Sequence, residues 1–212
     1  MTEKLTIAIA DDHPVVRKGM TRLLGTFERV GRTYEADNGL ALIDTLKNEQ
    51  PDVVILDVEM PGLNGLSTAD HILLHHPDTK ILILTMHTEH GLILKLMDQG
   101  VHCILHKSVE PDELERALYA VVDRDFFKSD VMMNALRNLQ KSGAMLGTRK
   151  LSNREMEVLL LICQELSPSE ISERLEISEK TFFNHRYNLI MKTGAKTNIG
   201  LYKFAVEHGF LE

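Results

Sequence analysis

Three aspartates follow apolar runs whose composition is typical of buried strands. Asp57 comes directly after the unbroken run 53–56, and the turn sequence Met-Pro-Gly follows after two further residues. Asp11 and Asp12 come directly after a second such run, residues 5–10. Runs of Val, Ile and Leu between turn residues predict parallel strands that are buried on both faces. Their carboxyl ends meet at the edge where open α/β sheets bind ligands, so we expect the three carboxylates to lie together.

Carboxylates gathered at one sheet edge repel each other unless a cation lies among them. Mg²⁺ prefers an all-oxygen ligand set, and three aspartates supply one. The sequence therefore predicts a magnesium site at which one aspartate remains available as a nucleophile. For any one of these aspartates taken alone, a solvated loop acid is the alternative interpretation.

The composition predicts two globular domains located in the cytoplasm. At 212 residues the chain is long for one core and sufficient for two domains of roughly 100 residues each. No apolar stretch reaches the ~18 residues that a membrane span needs, and no basic segment leads into an apolar core at the N-terminus. Cys103 and Cys163 lie in apolar stretches, which favours buried thiols in a reducing compartment over a disulfide.

The net charge of −7 is unevenly distributed along the chain. Residues 1–125 contain 12 Lys/Arg and 21 Asp/Glu, residues 126–148 contain 3 and 1, and residues 149–212 contain 9 of each. This distribution favours two domains with different partners. The neutral C-terminal domain does not by itself indicate nucleic acid, so that conclusion depends on where its charges fall.

Residues 1–125 alternate apolar runs with apolar stripes of helical spacing. One such stripe is Val16, Met20 and Leu24, and a longer one begins at Leu114. Repeated βα units imply right-handed crossovers and a parallel sheet with helices on both faces. The predicted fold is therefore α/β, a doubly wound five-stranded sheet of the flavodoxin-like kind. The predicted strands are residues 5–10, 30–35, 53–56, 81–84 and 101–105.

Helical signals without strands follow a looser segment. Residues 126–148 are predicted to be a linker, with a short helix at 132–136 and turn signals within 141–148. Ser152 with Glu155 then forms a capping box that opens a helix. The C-terminal domain is therefore predicted to be small and all-α. Its four expected helices are residues 156–165, 168–175, 178–193 and 198–208.

In its N-terminal part the chain resembles the receiver domain of bacterial two-component response regulators. The pair Asp11 and Asp12 follows the first predicted strand and Asp57 the third, while Thr85 follows the fourth and Lys107 the fifth. All five positions that function in that family lie at strand ends in the family's order. The resemblance implies that Asp57 is phosphorylated by a sensor histidine kinase or by a small acyl phosphate.

The resemblance also implies roles for the residues around Asp57. Asp12, Asp57 and the backbone carbonyl of Glu59 would hold Mg²⁺, while Asp11 would act mainly through metal-bound water. His87 and the Glu59 side chain border the phosphorylation site, and we expect them to tune the lifetime of the acyl phosphate.

Lys107 and Thr85 would contact the phosphoryl group itself, the first as a fixed cation and the second through its hydroxyl. Two positions depart from the family pattern. Ile104 stands where a Tyr or Phe usually moves inward when the threonine engages the phosphoryl group, and Cys103 stands where Gly is frequent. An aliphatic side chain has neither a ring nor a hydroxyl, so we expect Ile104 to distinguish weakly between active and inactive forms.

The C-terminal part resembles the LuxR-type helix-turn-helix domain. Residues 151–159 match its first helix and 169–172 its scaffold helix, and residues 177–181 lead into the recognition helix, where His185 and Lys192 also match. The two resemblances together identify the chain as a member of the NarL/FixJ family of transcriptional response regulators. They imply phosphorylation-controlled binding to promoter DNA.

Helical spacing predicts which face of the recognition helix contacts DNA. Phe182, His185 and Leu189 form the expected buried stripe, so that His185 is a core histidine. Exposed aromatics opposite this stripe, next to an amide and several cations, favour a major-groove surface. A protein–protein surface is the alternative. The predicted DNA-binding residues are Lys180, Thr181, Phe183, Asn184, Arg186, Tyr187 and Lys192.

The last helix is more apolar than a four-helix domain requires. In LuxR-type domains this helix forms the dimer contact, so Ile199, Tyr202 and Val206 are expected to join two copies, with the receiver as a further contact. Two histidine pairs invite a metal hypothesis: His71 with His75, and His102 with His106 near the ligand-binding end of the sheet. Neither pair has an acidic or cysteine partner at metal-ligand spacing.

Two other function classes remain open. One is a regulator that acts through protein contacts alone, and binding to DNA in a gel-shift assay would separate it from a transcription factor. The other is a phosphohydrolase of the haloacid dehalogenase type, which needs a second aspartate two residues after the nucleophile. Glu59 stands at that position, so no enzymatic activity is expected.

Overall fold

The computed structural model describes residues 4–141 and 151–211. The strands of its N-terminal domain are β1 (Leu5–Ala10), β2 (Val30–Ala36), β3 (Val53–Asp57), β4 (Lys80–Thr85) and β5 (Cys103–His106). The helices are α1 (Pro14–Leu24), α2 (Gly39–Leu46), α3 (Gly65–His75), α4 (His90–Gln99) and α5 (Pro111–Arg124). The sheet order is β2-β1-β3-β4-β5, and every neighbouring pair is parallel. The predicted doubly wound fold is confirmed.

Two apolar layers cover the two faces of this sheet. Successive side chains of a strand point to opposite faces, so Ile7 and Ile9 pack with α1 and α5, while Ala8 and Ala10 pack with α2, α3 and α4. Every residue of β3 is buried. The continuous Val/Ile/Leu composition of the strands is therefore explained by helices on both sides, and the polar residues are left at the strand ends.

A longer linker helix than expected follows the N-terminal domain. The predicted short helix at 132–136 is part of α6 (Asp130–Lys141), which extends beyond it because Met132, Ala135 and Leu136 are buried against neighbouring elements. The turn signals at 142–148 lie outside the described residues.

Four helices form the C-terminal domain over its described residues, 151–211, as predicted. They are α7 (Asn153–Cys163), α8 (Pro168–Arg174), α9 (Glu179–Thr193) and α10 (Asn198–Glu207). Complete capping boxes open the first two, with Ser152 and Glu155 at α7 and a matching serine–glutamate pair at α8. Ser178 caps α9 by accepting a hydrogen bond from the Thr181 N–H.

The two domains pack against each other through α6. One continuous apolar cluster runs from the α4 side of the sheet through α6 into α7, α9 and α10. Cys103 and Cys163 are free and buried within the domains, and burial raises the pKa of both thiols. Within the described parts of the chain, no helix has the length and apolar character needed to cross a bilayer.

Candidate functional site

The predicted acidic cluster forms at the carboxyl ends of β1 and β3. Asp57 and Asp11 are each only 3% exposed. Lys107, just beyond β5, places its Nζ 2.6 Å from Asp57 Oδ2 and 2.8 Å from Asp11 Oδ2. These three side chains are far apart in sequence, and the parallel sheet brings them together because their strands all end at the same edge.

The pKa values of Asp57 and Lys107 are both raised in this pocket. Burial raises the pKa of Asp57, and the like charge of Asp11 adds to this, while Lys107 opposes it. Burial alone would lower the pKa of Lys107, but hydrogen bonds to Asp11 and Asp57 raise it. Two buried carboxylates share one ammonium, so the pocket keeps negative charge that a further cation would balance.

A metal ion fits the donors of this pocket. Ligand atoms of Asp11, Asp12, His13 and Asp57 all lie within 4.8 Å of one another. Asp12 Oδ1 is buried without a hydrogen-bond partner, and His13 Nδ1 lies 2.7 Å from it. A buried carboxylate oxygen without a hydrogen-bond partner, beside other carboxylates, suits a hard cation such as Mg²⁺. The sequence analysis did not include His13 among the possible ligands. Its position directly after Asp11 and Asp12 could have indicated it.

The loop after β3 is held close to Asp57. The Glu59 N–H donates to Asp57 Oδ1 at 3.3 Å. Gly65 begins α3 so near the strand that a Cβ there would lie 2.1 Å from the Asp57 carbonyl oxygen, so no larger residue fits. Across the loop, Glu59 Oε1 lies 2.7 Å from His87 Nε2. The two residues expected to border the phosphorylation site therefore contact each other directly.

Thr85 is buried at the end of β4, with 1% of its surface exposed. Its Oγ1 accepts a hydrogen bond from the His87 N–H at 2.9 Å. The hydroxyl proton is therefore not used in this bond and can be donated to an incoming oxygen.

Ile104 does not lie on a free surface. It is fully buried in the cluster that includes Met132 and Leu136 of α6. Its carbonyl oxygen accepts a hydrogen bond from Ser129 Oγ, immediately before α6. The position that carries the family's mobile aromatic is thus covered by the linker helix, and an aliphatic side chain fits the closed packing there.

The outward face of the recognition helix α9 agrees with the predicted one. Phe183 is 50% exposed and Tyr187 is 63% exposed, and Asn184 lies exposed between them. Phe182 and Leu189 are buried as expected. The prediction that His185 is a core histidine was wrong, because the residue is only partly buried.

The cations of this helix divide into two groups. Lys180 is exposed, whereas two others form ion pairs within the chain. Lys192 Nζ lies 2.6 Å from Oε2 of the capping glutamate Glu155. Arg186 donates to Asp125 Oδ2 at 2.7 Å and to Asn198 Oδ1 at 2.8 Å. Arg186 therefore joins the recognition helix to the N-terminal domain.

Asp125, which sequence reasoning missed, is the centre of an interdomain charge cluster. It follows α5 in a left-handed conformation (φ 72°) and binds Lys80 Nζ at 2.5 Å as well as Arg186. Its Oδ1 lies 3.7 Å from His102 Nε2. Although burial would raise it, the pKa of Asp125 is lowered by these cationic neighbours.

The structure places both histidine pairs away from the acidic pocket. His102 precedes β5 and thus lies at the amino end of the sheet, so the prediction that it lies near the ligand-binding end was wrong. It is buried, accepts the Ile81 N–H at Nδ1, and burial lowers its pKa to about 4. The rings of His71 and His75 stack at 4.3 Å. Within residues 4–141 and 151–211, only the acidic pocket groups three or more possible ligands.

The predicted dimer residues on α10 are buried within the chain. Ile199, Tyr202 and Val206 are 0%, 6% and 7% exposed. The Tyr202 hydroxyl lies 3.4 Å from Met133 Sδ of α6. The apolar face of α10 is therefore buried within the chain, with Tyr202 in contact with the linker helix, and the expectation of a free dimer face does not hold for this arrangement.

Comparisons with known proteins agree with this geometry. The protein-family model of the response regulator receiver domain matches residues 7–119. The protein-family model of bacterial regulatory proteins of the luxR family matches residues 149–205. The chain is 31% identical to response regulator UvrY of Escherichia coli K12, over 97% of this chain and 95% of UvrY. Its structure is similar to RcsB of Salmonella typhimurium (TM-score 0.62, 29% identity, 96% of this chain and 98% of that chain). An RcsB–DNA complex is also similar (TM-score 0.61, 28% identity, 97% and 99% covered).

Proposed function

Because the chain belongs to the NarL/FixJ family of transcriptional response regulators, we propose that Asp57 accepts a phosphoryl group from a sensor histidine kinase. The observation that carries this proposal is the buried pocket in which Asp57 and Asp11 share Lys107 Nζ at 2.6 and 2.8 Å. A buried carboxylate with a fixed cation beside it is what an in-line phosphoryl transfer needs.

The residues of the pocket have separate roles in this transfer. A carboxylate oxygen of Asp57 attacks the phosphorus of a phosphohistidine, the P–N bond breaks, and the imidazole leaves. Lys107 neutralises the phosphoryl oxygens, and the Thr85 hydroxyl donates its proton to one of them. Mg²⁺, held by Asp12, Asp57 and the Glu59 carbonyl with Asp11 acting through water, supplies further charge neutralisation when bound.

The C-terminal domain, proposed as residues 149–212, would bind promoter DNA through α9. Phe183 and Tyr187 supply exposed aromatic surface, Asn184 supplies a base-edge amide, and Lys180 supplies a phosphate contact. Residues 1–125 are the proposed receiver and 126–148 the linker. The protein would act as a DNA-binding regulator and not as an enzyme. Its proposed location is the cytoplasm.

The interdomain contacts support the interpretation that the arrangement described above is the inactive, unphosphorylated form. Arg186, a proposed DNA contact, is bound to Asp125. The proposed dimer residues of α10 are buried within the chain, and Tyr202 contacts α6. Phosphorylation would favour a form in which α9 and α10 are released, so that two copies can pair through Ile199, Tyr202 and Val206 on a two-fold symmetric site. The coupling would pass from Thr85 through Ile104 to α6.

Phosphorylation is tested by incubating the purified protein with acetyl phosphate. Intact-mass spectrometry should show one added phosphate only when Mg²⁺ is present, and none in Asp57→Asn. Asp12→Ala should abolish labelling by removing a metal ligand, while Lys107→Ala should impair transfer more than metal binding. Asp70→Asn, which removes an exposed carboxylate from α3, is the matched control. Equal labelling of Asp57→Asn and the wild type would contradict the assignment.

A further inference from the structure

A cavity of about 350 Å³ lies between the two domains. Lys80, which begins β4, lines it, so it opens at the end of the sheet opposite to Asp57. Arg124 at the end of α5 forms part of the same wall. The facing wall contains Lys196 and Thr197, directly before α10, together with Phe182 and Phe183 of α9. The cavity is thus bounded by both domains and is separate from the phosphoacceptor pocket.

The acidic groups of this cavity are already neutralised. Asp123 forms a bidentate pair with Arg29, with distances of 2.7 and 2.8 Å. Asp125 binds two cations, as described above. By contrast, within the described parts of the chain neither Arg124 nor Lys196 forms an ion pair, although the charge of Arg124 contributes to a lowered pKa of Glu170. The cavity therefore has two cations in excess, one from each domain.

The N-terminus of α10 opens into the same cavity with unused donors. Thr197 is its N-cap residue, but the side chain makes no capping hydrogen bond. Thr197 is only 7% exposed, and its Oγ1 is buried without a partner. The Asn198 side chain also lines the cavity, but it is already bonded to Arg186 and to the Arg124 carbonyl. A buried hydroxyl and first-turn N–H groups without partners are costly unless a ligand binds them.

We propose that this cavity binds a phosphate group. Its oxygens would accept hydrogen bonds from the Thr197 hydroxyl and from the first-turn N–H groups of α10, where the helix dipole favours an anion. Lys196 and Arg124 would neutralise its charge. A ligand held by both domains binds only their closed arrangement, so it stabilises that arrangement by mass action and opposes release of the recognition helix.

The phosphate group could belong to inorganic phosphate or to a phosphorylated small molecule. The ring of Phe183, which is half exposed and lines the cavity, offers a surface against which an attached aromatic base can stack. Inorganic phosphate and adenosine monophosphate are therefore used as separate probes. Tighter binding of the nucleotide would assign the site to a phosphorylated metabolite, and equal binding would assign it to phosphate itself.

The test is calorimetric titration of the full chain at constant ionic strength, with EDTA present to keep the phosphoacceptor pocket free of metal. Lys196→Gln and Arg124→Gln should each weaken phosphate binding about tenfold, as loss of a charged hydrogen bond does. Thr197→Val should weaken it about fivefold. Lys95→Gln removes an exposed lysine of α4 that does not line the cavity, and it should bind like the wild type.

Thr197→Val also separates binding from folding. Without phosphate it should melt at or above the wild-type temperature, because it removes a buried hydroxyl that has no partner. With phosphate the wild type should gain more stability than Thr197→Val, beyond the general effect of the salt on both proteins. Three results would overturn the proposal: no saturable binding, equal binding by Lys196→Gln and Lys95→Gln, or unchanged binding by Arg124→Gln. The last would assign the anion to the C-terminal domain alone.

Discussion

Asp125 offers a direct test of the closed arrangement, since it contacts the recognition helix without belonging to it. Substitution of Asp125 by Asn removes the charge and keeps the backbone, because Asn tolerates the left-handed conformation (φ 72°) found there. Mutating Arg186 instead would also remove a proposed DNA contact. The aspartate therefore isolates the interdomain ion pair from the DNA surface.

The expected size of the effect follows from the burial of this pair. The side chains of Asp125 and Arg186 are 20% and 23% exposed, which places the pair between an exposed ion pair and a fully buried one. We take about 2 kcal/mol as the contribution of this pair to the stability of the closed form, which corresponds to a factor of roughly 30 in the ratio of open to closed forms. The bond from Asp125 to Lys80 lies within the receiver in both forms, so its loss cancels from this ratio.

The measurement is fluorescence anisotropy of a labelled promoter duplex titrated with unphosphorylated protein. Apparent affinity scales with the fraction of open protein, so Asp125→Asn should bind DNA up to about 30-fold more tightly than the wild type. Asp123→Asn breaks the neighbouring pair with Arg29, which lies entirely within the receiver, and should bind like the wild type. Unchanged affinity of Asp125→Asn, or an equal gain in Asp123→Asn, would refute the reasoning.

Two further predictions concern DNA readout and acid stability. Lys180→Ala should weaken binding to all DNA duplexes alike and lower the slope of log affinity against log salt concentration by about one unit. Asn184→Ala should instead cost about 1–3 kcal/mol of binding free energy on the preferred site only. Identical behaviour of the two variants on specific and random duplexes would show that the wrong helix face was chosen. The second prediction concerns His102, whose pKa in the folded protein is about 4, below its ordinary value of 6.5. The fold therefore favours the neutral ring, and the free energy of unfolding decreases as the pH falls from 6.5 towards 4. At pH 5 the wild type should have lost about 2 kcal/mol of its free energy of unfolding. Urea unfolding of the wild type and of His102→Gln at pH 7.5 and pH 5 measures this loss. Equal losses in both proteins would count against the assignment to His102.

The sequence by itself determined the features that depend on local pattern. Continuous Val, Ile and Leu runs identify buried strands wherever they occur, and the strands 5–10 and 53–57 begin and end within a residue of the predicted bounds. Serine–glutamate pairs identify helix starts because both partners lie within one turn. The acidic pocket follows from these elements, since parallel strands align their carboxyl ends whatever surrounds them.

Only the tertiary structure decided which face of each element meets the other domain. Arg186 is bound to Asp125, 61 residues away, and nothing in the local sequence of either residue indicates the other. Ile104 and Tyr202 are both covered by α6, whose extent depends on the surfaces it packs against rather than on its own propensity. Periodicity shows that a helix has an apolar face, but a linker helix and a second copy of the chain can cover that face equally well. The choice between them is an energy difference between whole-chain arrangements, and it is made by contacts that local sequence does not contain.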